Sequence, residues 1–81
     1  MKIEVRLFAT LAAFLPPASK ATGSAVLDIP DGGTVADVVS RLRIPPVLPC
    51  IALVNGEDAG PERRLAAHDV VTLFPPLAGG R

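Results

Sequence analysis

Charged and apolar residues alternate from Lys2 to Ala9, with Ile3, Val5 and Leu7 on one face and Lys2, Glu4, Arg6 and Phe8 on the other. A period of two is that of a strand with one buried face. Thr10–Leu15 is apolar enough for a short helical turn, stopped by Pro16-Pro17, and Ser19–Ser24 reads as a small polar loop. Ala25–Ile29 predicts a second strand, closed by the turn residues Pro30-Asp31-Gly32-Gly33. Val35, Val38, Val39 and Leu42 then fall at helical spacing. Thr34 with Asp37 three residues on supplies a start signal, a capping pattern with Asp in place of Glu or Gln. Ile44-Pro45-Pro46 ends that helix, because a residue before proline avoids the helical region.

Beyond the helix, Ile51–Val54 predicts a short apolar strand and Asn55-Gly56 a tight turn. Gly60-Pro61 marks another turn, Glu62–Ala67 a polar loop or helical turn with Leu65 pointing inward, and Val70–Phe74 a last strand. A very short strand fits between the two turns. The order strand, strand, helix, strand, short strand, strand implies an α+β fold, one main helix packed on a mixed sheet of four to five strands.

Composition narrows the function classes. Eighty-one residues suit one domain of radius of gyration about 12 Å. Such a chain buries roughly 60% of its unfolded surface, which leaves little room for an internal active site. Hydrophobic residues make up 49% of the chain, enough for a packed core. Eight basic residues balance eight acidic ones, with no Trp or Tyr, which argues against nucleic acid as a partner. The charged alternation at the start is not a signal-peptide core, no apolar run has membrane-spanning length, and one cysteine allows no internal disulfide. A cytoplasmic location is the expectation. Cys50, beside Pro49 and before an apolar run, reads as a buried packing residue rather than a reactive thiol. No Cys/His cluster has metal-ligand spacing, so no metal site is expected. Asp31-Gly32-Gly33-Thr34 lacks the Lys-Ser/Thr ending and the glycine spacing of a phosphate loop. Glu62, Arg63 and Arg64 read as a solvated mixed-charge cluster.

The segment after the last strand, Pro75-Pro76-Leu77-Ala78-Gly79-Gly80-Arg81, is the strongest functional signal. Two prolines stiffen the exit from the domain, and two glycines make a thin tip without Cβ atoms. A rigid stalk with a slender tip suits a terminus that enters another protein's active site. From Leu77 to Arg81 it reaches at most about 17 Å when extended. The division implied is a folded domain over residues 1–74 and an extended tail over 75–81.

Three segments carry a resemblance. Lys2-Ile3-Glu4-Val5-Arg6-Leu7-Phe8-Ala9 resembles the opening strand of the MoaD branch of the MoaD/ThiS sulfur carriers, and Val54-Asn55-Gly56-Glu57 their central turn. Asp69 through Gly80 resembles their closing signature, and the double proline favours the molybdopterin-synthase small subunit over the thiazole-pathway carrier. The resemblance implies a β-grasp (ubiquitin-like) fold with the first and last strands adjacent. It implies a sulfur carrier for molybdopterin (molybdenum cofactor) synthesis that acts as co-substrate and has no stand-alone activity. A MoeB/ThiF-like enzyme would use ATP and magnesium to adenylate the carboxylate of Gly80. Sulfur would then displace AMP to leave a thiocarboxylate, with Gly79 giving clearance. No cofactor bound by the chain itself is implied. A MoaE-like large subunit would receive the tail.

Two positions depart from that pattern. Arg81 follows the second glycine, where carriers of this kind normally end. Three readings stay open: a peptidase removes Arg81, Arg81 is foreign to the natural chain, or the carrier chemistry is lost and only the binding fold remains. His68 stands where relatives usually place Gly before the Asp, and reads as an exposed turn residue needing positive φ rather than as a catalytic base. Asp69 reads as a turn former. Phe8 and Phe74, if the first and last strands pair, form an exposed apolar patch at the base of the tail; with Pro75, Pro76 and Leu77 they are the expected partner-binding residues. The alternative is that the two rings cap the core. Other readings of the whole chain are a carrier for another sulfur pathway (thiazole, cysteine or a specialised metabolite) and a ubiquitin-like binding or modifier domain without sulfur chemistry.

Overall fold

A computed structural model describes residues 1–45 and 47–76. Among the described residues are five strands and one α-helix: β1 (Lys2–Leu7), β2 (Ser24–Asp28), α1 (Val35–Arg41), β3 (Ile51–Val54), β4 (Glu57–Ala59) and β5 (Val70–Phe74). They form a single sheet in the order β2-β1-β5-β3-β4. β1 and β5 run parallel in the centre, with Val5 opposite Val71 and Leu7 opposite Leu73, and the other neighbouring pairs are antiparallel. This is the α+β plan expected from the periodicities, with the first and last strands adjacent.

The core sits between one face of this sheet and α1. Ile3, Val5 and Leu7 of β1, Ala52 and Val54 of β3, and Val71 and Leu73 of β5 are buried. Val35, Val38 and Leu42 from the helix region close over them, and Leu65 points inward from its loop. Val39 and Phe14 are half-buried against this cluster. The Cα radius of gyration is 11.9 Å, as the chain length alone requires.

Local sequence explains most boundaries. The Asp37 carboxylate accepts the Thr34 backbone N–H at 2.8 Å and the Thr34 hydroxyl at 3.3 Å, which ties down the start of α1. Asn55 and Gly56 sit at φ 52° and 87°, the pair of left-handed residues that a two-residue hairpin turn between β3 and β4 needs. Several boundaries differ from the pattern-based expectation, and β2 runs Ser24–Asp28 rather than Ala25–Ile29. β1 stops at Leu7 rather than Ala9, because Ala9 takes φ 55° and opens a 3-10 helix over Ala9–Phe14. A second 3-10 turn, Pro17–Ser19, runs from the proline stop to the first residue of the expected Ser19–Ser24 loop, since proline suits a first helical position.

Candidate functional site

The exit of β5 organises the site. β5 has hydrogen-bonded neighbours on both sides, β1 and β3, so its final residue is held in place from two directions. The Glu4 N–H donates to the Asp69 carbonyl at 2.9 Å, and the Phe8 N–H donates to the Leu73 carbonyl at 3.1 Å, bracketing the parallel pairing. Pro75 is half-buried and Pro76 is exposed.

Alternation sends Val70, Thr72 and Phe74 to the face opposite the helix, together with Glu4 and Arg6. At the tail end of that face Ile51 of β3 stands opposite Phe74 of β5, and Phe8 follows β1 directly, with its N–H bonded to Leu73 of β5. Phe8 is 51% exposed and Ile51 37%, while Phe74 is half-buried. The Phe8 ring therefore does not cap the core. Leu53, half-buried, stands one step further along β3 on the same face. The sequence reading found Phe8 and Phe74 but missed Ile51 and Leu53. Their signal is the alternation of Ile51–Val54 itself, masked because all four residues are apolar. Beside the row, the Arg6 side chain donates to Glu4 at 2.7 Å, giving the apolar strip a charged border.

The opposite end of β5 is fixed by a side-chain clasp. The Asn55 carboxamide accepts the Val70 N–H at 2.9 Å and donates to Asp69 Oδ1 at 3.0 Å. Asp69 Oδ2 in turn accepts the Ala66 N–H at 2.8 Å. The Ala66 amide first, and the Asn55 amide second, hold the Asp69 carboxyl below its ordinary value of 3.8. Asp69 is thus an ionised turn former, as its position suggests, and not a proton donor near neutrality. His68 is exposed at φ 70°, and its N–H donates to the Lys2 carbonyl at 2.7 Å. No group of three potential metal-ligating side chains occurs among the described residues. No described helix is long and apolar enough to cross a membrane.

A second feature was not legible from sequence. An apolar hollow of about 460 Å³ lies between α1 and the β3–β4 edge, lined by Val35, Val39, Ile44, Leu48, Cys50 and Ala52 among others. Cys50 is half-buried there rather than fully buried, because it borders this open hollow. Leu77, Gly79, Gly80 and Arg81, four of the residues singled out in the tail, lie outside the described residues.

The family follows from a comparison of the sequence over nearly its whole length: residues 5–80 match the model of the ThiS family. The chain belongs to the ThiS family. The match takes in Gly79-Gly80 and stops before Arg81. No curated protein sequence matches. Among solved structures, this ThiS-family chain is similar to small archaeal modifier protein 1 of Haloferax volcanii, with 27% identity and a TM-score of 0.73 over 94% of this chain and 98% of that one. It is also similar to a putative molybdopterin converting factor subunit 1 from Pyrococcus furiosus, with 21% identity and a TM-score of 0.71 over 94% and 98% of the two chains. A third similarity is to the complex of subunits 1 and 2 of the molybdopterin-converting factor from Helicobacter pylori, with 20% identity and a TM-score of 0.61 over 99% and 100%. At that identity the last two bear on fold alone. Together these neighbours identify the sheet-and-helix arrangement as the ubiquitin-like β-grasp.

Proposed function

We propose that this chain is a sulfur carrier that serves molybdopterin synthesis, with Gly80 as the group that is activated once Arg81 is removed. The observation that carries the reading is the ThiS-family match through Gly80, joined to a β5 held from both sides immediately before Pro75-Pro76. In this chemistry the Gly80 carboxylate attacks the α-phosphate of ATP on a MoeB/ThiF-like enzyme, with magnesium, and pyrophosphate leaves. A sulfur nucleophile then attacks the acyl carbon, AMP departs, and a thiocarboxylate remains. The carrier contributes a carboxylate with reach, and the partner contributes the catalytic groups.

Docking falls to the apolar row of Phe8, Phe74 and Ile51 with Pro75, Pro76 and Leu77. The Helicobacter pylori structure pairs a small subunit with a second subunit, which supports a MoaE-like large subunit as receiver of the tail. A stand-alone activity is not part of the reading, and neither is a bound cofactor or metal. A cytoplasmic setting accords with ATP-dependent activation. The folded unit is residues 1–74, and residues 75–81 act as the extended arm.

A second reading has its own support in the 27% identity to an archaeal modifier protein: after the same adenylation, Gly80 forms an amide with a lysine of a target. A carrier for another sulfur acceptor differs from the first reading only in the receiving partner. Incubating the chain, with and without Arg81, with ATP, magnesium, a MoeB/ThiF-like enzyme and a sulfur source separates these readings. Intact-mass measurement is expected to show one oxygen replaced by sulfur only in the form ending at Gly80. A lysine adduct in its place establishes the modifier. A chain that stays unmodified in both forms sinks the carrier chemistry. In protein recovered from native cells, a form lacking Arg81 is expected.

A further inference from the structure

β2 is an edge of the sheet, and its ladder shows which of its backbone groups are free. The Leu7 N–H donates to the Gly23 carbonyl and the Ile29 N–H to the Met1 carbonyl, while Ile3 stands opposite Leu27 and Val5 opposite Ala25. In an antiparallel pair the groups facing the partner alternate, so the odd-numbered residues of β2 bond to β1. The N–H and C=O groups of Ser24, Val26 and Asp28 therefore face away from the sheet. No turn, loop or side-chain hydrogen bond among the described residues takes up the amide or carbonyl of Val26 or Asp28. Val26 is also 67% exposed, although it lies in the middle of a strand.

Protein sheets normally guard such an edge with Lys, Pro or a bulge. The sequence Ser24-Ala25-Val26-Leu27-Asp28 has none of these and a single charge, Asp28 at its end, and its register with β1 runs unbroken. The other edge, β4, is guarded: it is three residues long and reads Glu57-Asp58-Ala59.

We infer that β2 is a self-association edge, where two copies of this chain pair antiparallel about a two-fold axis at Val26. Three observations choose a second copy as the occupant. Antiparallel self-pairing about Val26 matches outward donor to outward acceptor at Val26 and brings the free groups of Asp28 to those of Ser24, which exchange their bonds with Thr22 Oγ1 for the new ones. It sets Val26 against its own copy and Ser24 against Asp28, so no like charges face each other across the seam. Finally, the chain has a formal net charge of +0, so two copies approach without long-range repulsion. The result is a continuous ten-stranded sheet. β5 lies two strands in from the seam, roughly 10 Å away, so Phe8, Phe74 and Pro75 stay uncovered on both copies.

A seam of two five-residue strands is small, so the dimer is concentration-dependent. Sedimentation of the full chain from about 1 μM to 1 mM is expected to show reversible monomer–dimer exchange. Val26→Lys is expected to raise the dissociation constant by about tenfold or more with an unchanged thermal midpoint, since the side chain is exposed. In a Cys50→Ser background, Val26→Cys is expected to join two copies through a short bismaleimide, because paired Cα atoms would lie about 5.5 Å apart. Asp58→Cys, on the other edge, is expected not to. A monomer at every concentration overturns the inference. So does a dimer indifferent to Val26→Lys, or cross-linking through Asp58→Cys in preference to Val26→Cys.

Discussion

His68 occupies the left-handed region at φ 70°, a conformation that costs a side-chain-bearing residue about 1 kcal/mol or more. Glycine removes that cost but widens the unfolded ensemble by about 0.4–1 kcal/mol. His68→Gly is therefore expected to be neutral to about 1 kcal/mol stabilising, and His68→Val clearly destabilising, as denaturant midpoints would read. The order Gly, His, Val follows from backbone conformation alone, because the His68 N–H keeps its bond to Lys2 in each case. Its neighbour Asp69 acts through charge. A carboxyl held below its ordinary value stabilises the fold above that value and loses the contribution as pH falls through the folded-state value. Asp69→Asn is expected to be less stable than the parent chain at neutral pH, with the two stability curves converging below about pH 4. A constant gap between them down to strong acid would locate the effect in packing instead of ionisation.

Among the elements, β5 links fold to function. Its alternate residues split between two tasks: Val71 and Leu73 are fully buried, while Phe74 faces the outer row. Truncating a fully buried Phe costs about 3–5 kcal/mol, whereas half-buried Phe74 has less to lose. Phe74→Ala is expected to cost under about 2 kcal/mol in folding stability, yet to weaken docking to a large-subunit or activating partner by about tenfold or more. Titration calorimetry beside thermal unfolding checks the split, and a large stability loss with unchanged docking assigns the ring to the core. The row was only half readable from sequence. Phe8 and Phe74 stand out because each breaks or ends a clear alternation, but Ile51 and Leu53 sit inside a run in which every residue is apolar. Only the pairing of Ile51 with Phe74 reveals which of them face outward.

At the scale of the whole molecule, the architecture was legible where residue chemistry is directional. Thr34 with Asp37 announces a helix, Asn55-Gly56 announces a hairpin, and the alternation of β1 announces a half-buried strand. The early end of β1 was not legible, since nothing in an alanine signals the φ of 55° at Ala9. The hollow under α1 was equally hidden. It arises where the loop through Pro45 and Leu48 meets α1 and β3, segments whose separation in space no local pattern encodes. The family was legible in the closing signature from Asp69 to Gly80, which the ThiS-family match takes in. The proposed docking face depended on strand order, which emerges only when the two ends of the chain meet.

The parallel pairing of β1 with β5 also sets how the domain bears load. A pull directed outward along the tail acts along β5, in the strand's own direction and against neighbours on both sides. The ladder bonds then resist together in shear instead of opening one at a time like a zip. A partner that draws the tail into a deep cleft thus meets a stiff handle, with tension spread across the middle of the sheet and away from the weaker loops.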